Sequence, residues 1–296
     1  MRKKIEYYAL VVFLWLFKFL PSNYVYAITR FLGRAFFKIE KRRSLLTKKN
    51  LKLAFGDKLS SEEIEELAKK SYDSLAITLA EIIMMLNGKI EPNDLIKNKE
   101  EALKKFKNYI NSAKNGVVII TAHFSNWEVA AQFFPMNGYK MMGIGREGNN
   151  KLIEKKITTP FRQRYGNVNI YKHRAMIGVI KHLKKSGIVG MLIDQKSSGK
   201  SSIKVKFFDS WADTTSTIAT LKLKYDPLIL PVFMPRDSDG KYMPLVLEPV
   251  EYRADEVEDE KEKIRLMTQK YNNIIEGVVR EYPEQWFWMH NRWRIG

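Results

Sequence analysis

Cysteine is absent from the 296 residues, histidine occurs only four times, and the first fifty positions hold only two acidic residues. Without cysteine there are no disulfides, no thiolate nucleophile and no Cys-ligated metal, and the chain suits a reducing compartment. The histidines, His123, His173, His182 and His290, are too scattered to support a zinc site. No Gly-x-Ser-x-Gly elbow surrounds Ser125, so a covalent serine nucleophile there has no support. No metal or other cofactor is expected. Repeats, low-complexity tracts and long structureless linkers are also missing. What is present is a chain long enough for one or two domains, with ordinary apolar (45%) and charged (28%) fractions.

The net charge of +18 is unevenly spread. Residues 1–50 hold twelve Lys/Arg and two Glu, a net of +10, which leaves +8 for the other 246. A strongly basic protein seeks nucleic acid or anionic lipid. Here the charge is interleaved with the most apolar part of the chain, which favours lipid, and no nucleic-acid partner is expected.

Residues 7–20, YYALVVFLWLFKFL, are apolar apart from Lys18 and end at Pro21. As a helix they would reach ~21 Å against a hydrocarbon layer of roughly 30 Å, short for a crossing. From Tyr24 to Ile39, Arg30, Arg34 and Lys38 recur every four residues among Phe31, Leu32, Ala35 and Phe36, and Lys41-Arg42-Arg43 follow. A basic stripe beside an aromatic face is how a helix lies among lipid headgroups. A retained membrane anchor is the favoured reading. A cleaved secretory signal (Arg2-Lys3-Lys4 before the apolar run, Val25-Tyr26-Ala27 as cleavage site) and packing into a soluble core remain its rivals.

Farther on, Ser60 and Glu63 form a capping-box signature before a helix marked by Ile64, Leu67, Ser71, Leu75, Leu79, Ile82 and Leu86. A charged helix is expected over 100–113. Apolar runs at 117–121, 141–144, 188–193, 203–208, 228–233 and 243–247 then alternate with helical patterns near 127–135, 150–165, 174–186, 213–224 and 256–281. This alternation predicts a layered α/β domain with a largely parallel or mixed sheet flanked by helices.

His173 and His182 sit in lysine-flanked, surface-like contexts, whereas His123 follows the strand VVIIT and opens His123-Phe124-Ser125-Asn126-Trp127-Glu128. In one unbroken helix, residues five apart point about 140° away from each other. His123 and Glu128 can meet if His123 lies in a strand-to-helix turn and Glu128 in the helix's first turn, with Ser125 as N-cap and Glu128 at the third helical position. The carboxylate would then fix the tautomer of the imidazole and raise its basicity. On local sequence alone, the same residues better suit an ordinary capping box in which Glu128 reaches a backbone N–H and His123 merely ends a strand.

Several segments in order resemble the bacterial lipid A late acyltransferase family, within the glycerolipid acyltransferases that carry His-x4-Asp/Glu. These are the His123–Glu128 segment, Arg146 with Asn149, Asp194-Gln195 ending a strand, Phe207-Phe208, and Thr214-Thr215 opening a helix. Pro231-Val232-Phe233 with Arg236 follows, and then Pro283-Glu284-Gln285-Trp286-Phe287-Trp288-Met289-His290. Two positions depart from the pattern, Ser125 and Asp209, each standing where the family has glycine. The resemblance implies a membrane anchor and basic interfacial helix over 1–45 and an α/β acyltransferase domain over 46–296. It also implies transfer of a fatty acyl chain from an acyl carrier protein or coenzyme A thioester to a hydroxyl of a membrane glycolipid, at the cytoplasmic face of a bacterial inner membrane. His123 would be the general base, Glu128 its orienting carboxylate, and Arg146, Asn149, Asp194, Gln195 and Arg236 substrate contacts. For Trp286, Trp288 and Trp293, core packing competes with an acyl-chain wall; for Arg292 and Arg294, phosphate contacts compete with headgroup anchoring. A different acceptor, such as a phosphatidylinositol mannoside or a lysophospholipid, and an inactive membrane-binding protein on the same fold are the remaining alternatives.

Overall fold

The computed structural model describes residues 1–171 and 175–295. Three helices open the chain: α1 (Arg2–Phe19), α2 (Ser22–Ile39), which Pro21 starts, and α3 (Lys41–Phe55). The expected border between residues 45 and 46 falls inside α3, whose Leu46, Leu51 and Ala54 are buried. Next comes α4 (Ser61–Leu86), and its start is the expected capping box: Glu63 N–H donates to Ser60 Oγ at 3.2 Å and Ser60 N–H to Glu63 Oε2 at 2.7 Å.

Helix α4 is the axis of the N-terminal half. The face read from sequence includes the exposed Leu79, while Ser74, Thr78 and Glu81 lie inside, because the helix is covered on more than one side. On one side it carries α2, with Gly33 at the crossing; a Cβ there would lie 3.0 Å from the Ala76 Cβ and 3.3 Å from the Tyr72 carbonyl oxygen. Arg34 adds a two-pronged ion pair to Asp73 at 2.8 and 3.0 Å. Phe17 of α1 joins Val25, Ala80, Ile83 and Met84 in a small apolar cluster. Outward, α1 and α2 present Val12, Trp15, Leu16, Phe19, Tyr24, Phe31, Leu32, Phe36 and Ile39, all exposed. Among the described residues no helix is long and apolar enough to cross a membrane.

Helix α5 (Lys99–Ser112) leads into a sheet assembled from β1 (Val117–Thr121), α6 (Trp127–Met136), β2 (Met141–Gly145), α7 (Lys151–Ile153), a π-helical turn (Glu154–Thr158), α8 (Thr159–Arg162), β3 (Val168–Tyr171), α9 (Ala175–Leu183) and β4 (Ile188–Leu192). A hairpin of β5 (Ser202–Phe207) and β6 (Ser210–Thr215) follows. Then come α10 (Thr217–Tyr225), β7 (Leu228–Phe233), β8 (Leu245–Val246) and α11 (Glu260–Glu281). The sheet order is β3-β2-β4-β1-β7-β8, with only β8 antiparallel. The expected α/β architecture with a largely parallel sheet is therefore present. The strands read as unbroken apolar runs because both faces are covered. In β1, Val118 and Ile120 join one core with α9, α10 and α11, while Val117 and Ile119 join another with α5 and α6.

Two strands, β3 and β6, were not anticipated. Thr214 and Thr215 end β6 rather than open a helix, and α10 starts two residues later. The hairpin turns through Phe208 and Asp209 with φ of +50° and +58°. A two-residue turn with both φ positive matches the right-handed twist of its strands and favours glycine. That is why a glycine is expected where Asp209 stands.

Candidate active site

Strands β1 and β4 are parallel neighbours in a register that sets Thr121 against Leu192. Continued two residues past each strand, the register brings His123 beside Asp194, at the carboxyl edge of the sheet where α/β sites form. The His123 Nδ1–H donates to Asp194 Oδ1 at 2.9 Å, and the His123 backbone N–H donates to Oδ2 at 3.0 Å. The Trp286 indole N–H also donates to Oδ2, at 2.8 Å. Asp194 is fully buried. Burial pushes its pKa up, but the His123 ring and the three donated hydrogen bonds outweigh this and hold it below the ordinary range. An ionised carboxylate only accepts, so Nδ1 carries a proton, and in the neutral imidazole the lone pair is then on Nε2. The His123 side chain is 25% exposed and edged by the rings of Trp127 and Phe287.

The structure pairs His123 with Asp194, not with Glu128, and corrects the local reading in three respects. Ser125 takes φ +51°, in the left-handed region, so it is a turn residue and not the N-cap. Asn126 caps α6 instead, its Oδ1 accepting from Val129 N–H at 3.1 Å. Glu128 therefore falls at the second helical position, forms no capping box, and points to Arg162 of α8, whose guanidinium donates to it at 2.5 and 3.2 Å. Arg162 was not singled out from sequence, since nothing near it marks an ion pair to a residue 34 positions away. The loop is also stitched to the C-terminal segment: Phe287 N–H donates to the His123 carbonyl at 3.0 Å and Ser125 N–H to the Gln285 carbonyl at 2.6 Å.

The other expected contacts separate into two groups. Arg146 and Asn149 are exposed in the loop after β2. Gln195 is half-buried, and its carbonyl accepts from Arg292 at 3.3 Å. Arg236 is buried against protein: its guanidinium donates to Ser74, Thr78 and Tyr242 and lies 3.7 Å from Glu81. Arg292 is likewise interior, donating to the Asp213 carbonyl and Thr214 Oγ1 at 2.5 Å, and burial pushes its pKa down to about 10. Arg294 pairs with Asp213 at 2.7 Å. Trp286, Trp288 and Trp293 are buried in the main core. His182, expected at the surface, is half-buried with Nε2 shielded and unpartnered, and His173 lies outside the described residues.

Beside the loop, a narrow crevice lined by Ser125, Trp127 and Phe287 shares Ser74 and Gln285 with a cleft of about 490 Å³. Lys70, Asp73, Arg236, Asp237 and Glu284 bring charge to this cleft, while Ile77, Pro235 and Met243 help make most of its surface apolar. Chemically, then, the edge of the sheet offers an oriented imidazole backed by a charged carboxylate, aromatic walls and an adjoining cleft.

Known proteins resemble the chain over most of its length. A sequence model of the family described as bacterial lipid A biosynthesis acyltransferase matches residues 1–295. The chain is similar to the lipid A biosynthesis palmitoleoyltransferase of Escherichia coli (strain K12), 28% identical over 289 residues that cover 95% of this chain and 88% of the relative. It is similar to the same extent to the lipid A biosynthesis acyltransferase of Shigella flexneri. With a match from one end to the other, the chain belongs to the bacterial lipid A biosynthesis acyltransferase family.

Proposed function

We propose that this acyltransferase moves a fatty acyl chain from an acyl carrier protein or coenzyme A thioester to a hydroxyl of a lipid A precursor, at the cytoplasmic surface of a bacterial inner membrane. The observation that carries the mechanism is the Nδ1–Asp194 hydrogen bond of His123 at 2.9 Å. It leaves Nε2 free to take the proton of the acceptor hydroxyl as the oxygen attacks the thioester carbonyl. Asp194 stabilises the imidazolium that forms. When the tetrahedral intermediate collapses, the C–S bond breaks and the imidazolium returns the proton to the leaving thiolate. The acyl group passes directly between substrates, in keeping with the lack of cysteine and of a serine elbow. The cleft beside the loop, apolar over most of its surface with charged groups among its lining, suits an amphipathic acceptor. Arg146 and Asn149, exposed at the same edge of the sheet, suit its phosphate groups.

The test is transfer of a labelled acyl group from each thioester to a lipid A precursor in detergent micelles. His123→Ala should slow transfer by roughly 10²–10⁴, the usual contribution of a general base. Asp194→Asn should cost on the order of 10³, because an amide cannot accept all three donated hydrogen bonds or stabilise the imidazolium. Wild-type turnover by His123→Ala, or an acyl group trapped covalently on Ser125, would overturn the mechanism.

A further inference from the structure

A carboxylate with almost no solvent contact sits behind the His123 loop. Glu81 of α4 is 1% exposed, and a buried charge persists only where it is paired and hydrogen-bonded. Its Oε2 accepts from Asn126 Nδ2 at 2.8 Å and from the Tyr242 hydroxyl in a very short contact, with the Arg236 guanidinium 3.7 Å away. Its Oε1 faces the Tyr26 hydroxyl of α2 at 3.4 Å. Burial raises the Tyr242 pKa well above the ordinary value, so this hydroxyl stays a donor.

The residue that Glu81 grips is the one that starts α6. Asn126 uses both ends of its amide, the oxygen on Val129 N–H and the nitrogen on Glu81. Glu81 thus fixes which way the amide faces. One helical turn back, Thr78 Oγ1 lies 3.2 Å from both the Ser125 and the Ser74 carbonyl oxygens and shares its one proton between them, while Arg236 donates to the same hydroxyl at 3.2 Å. Thr78 and Glu81 are three residues apart and so share one face of α4. Two successive residues of the loop, just after His123, are therefore held by one polar stripe of a helix that contributes nothing to the His123–Asp194 pair itself.

We propose that Glu81 is a positioning residue for catalysis, holding Asn126 and through it the loop that aims His123 Nε2. This deepens the reading of His123 as general base and rests on it. Displacing a catalytic group by about 1 Å can cost roughly 10² in rate, and that sensitivity gives the loop clamp its leverage. Thr78, Glu81 and Asn126 line neither the crevice nor the cleft, so both Michaelis constants should stay near their wild-type values.

The experiment exchanges the two ends of the Glu81–Asn126 hydrogen bond. Asn126→Asp keeps the cap oxygen but sets a carboxylate against Glu81, and kcat should fall by about 10². Glu81→Gln keeps an acceptor for Asn126 and Tyr242, and kcat should fall only a few-fold. In the double variant the new amide donates to the new carboxylate, and kcat should return to within about threefold of Glu81→Gln alone, as expected of directly coupled residues. Thr78→Val, a near-isosteric change that removes the second clamp, should lower kcat about tenfold with both KM values unchanged. Thermal melts of each variant separate lost alignment from lost fold. If Asn126→Asp does not fold, the double variant and Thr78→Val still decide the matter. A double variant more than about tenfold slower than Glu81→Gln, or a Thr78→Val with wild-type kcat, would overturn the proposal. Measuring thioester hydrolysis alongside transfer keeps the two readings apart: loss of transfer to the lipid A precursor alone would count against the acceptor, not the clamp.

Discussion

A left-handed backbone at Ser125 and a half-buried histidine at position 290 show how single residues here balance strain against function. At φ +51° the side chain of Ser125 is crowded by its own backbone, and its Oγ is buried without a partner. Glycine would relieve both, while its N–H would still bond the Gln285 carbonyl. Ser125→Gly should stabilise the fold by about 1 kcal/mol and raise Tm by about 2 °C, read by calorimetry. A lower Tm would mean that the hydroxyl has an unrecognised partner. At His290, burial, opposed by Asp194 and assisted by His123 and Arg292, pushes the pKa from 6.5 down to about 4. The unfolded chain then binds a proton that the folded chain refuses between these two values. Stability is therefore full above about pH 6.5 and declines as pH falls toward 4. Asp194, held low, acts in the same direction but farther into acid. Thermal melts across this range should show the decline in the wild type and a shallower slope in His290→Asn. An equal slope in both would place the acid sensitivity elsewhere.

The crossing of α2 over α4 depends on one missing side chain. Gly33→Leu would push a branched group into Ala76 and the Tyr72 carbonyl, where even a Cβ is at 3.0 and 3.3 Å. It should cost roughly 1–3 kcal/mol in denaturant unfolding, and a variant of wild-type stability would show that α2 can slide. At this scale much was legible in the sequence. The capping box at Ser60 and Glu63, and β1 and β7 to the residue, follow from local pattern. Helix α3 was not, because its buried positions include Ser44, Thr47 and Asn50, which carry no apolar period. Strand β6 was missed because SWADTT alternates only weakly and its turn uses Asp209 in place of glycine. The site was legible in part. Local sequence named His123 and the family pattern named Asp194, but their pairing spans 71 residues and is set by strand register. The Glu128–Arg162 pair and the Glu81 clamp are long-range in the same way.

Taken whole, the molecule gathers exposed apolar side chains on its first two helices and excess positive charge on its first three. Arg34, the middle member of the basic stripe, is bonded to Asp73 on α4, whereas Arg30 and Lys38 are exposed beside Phe31, Phe36 and Ile39. If this pair of helices rests in a lipid headgroup layer, charge and apolar area contribute separately. Each exposed cation near an anionic surface is worth about 1 kcal/mol and is screened by salt. Replacing Arg30 and Lys38 with Gln should therefore weaken binding to anionic vesicles roughly thirtyfold at low salt, with little effect at high salt. Replacing Phe31 and Phe36 with Ser removes buried apolar area, about 1.5–3 kcal/mol for each side chain, and should weaken binding at every salt concentration. Deleting α1 is a poorer test, since Phe17 packs into the cluster with Ala80 and Met84 and its loss would disturb α4. Vesicle co-sedimentation of the full chain at two salt concentrations reads both effects. Binding that ignores the charge pair and the aromatic pair alike would mean that α1 and α2 are not the lipid-facing surface, and that their exposed aromatics meet another partner.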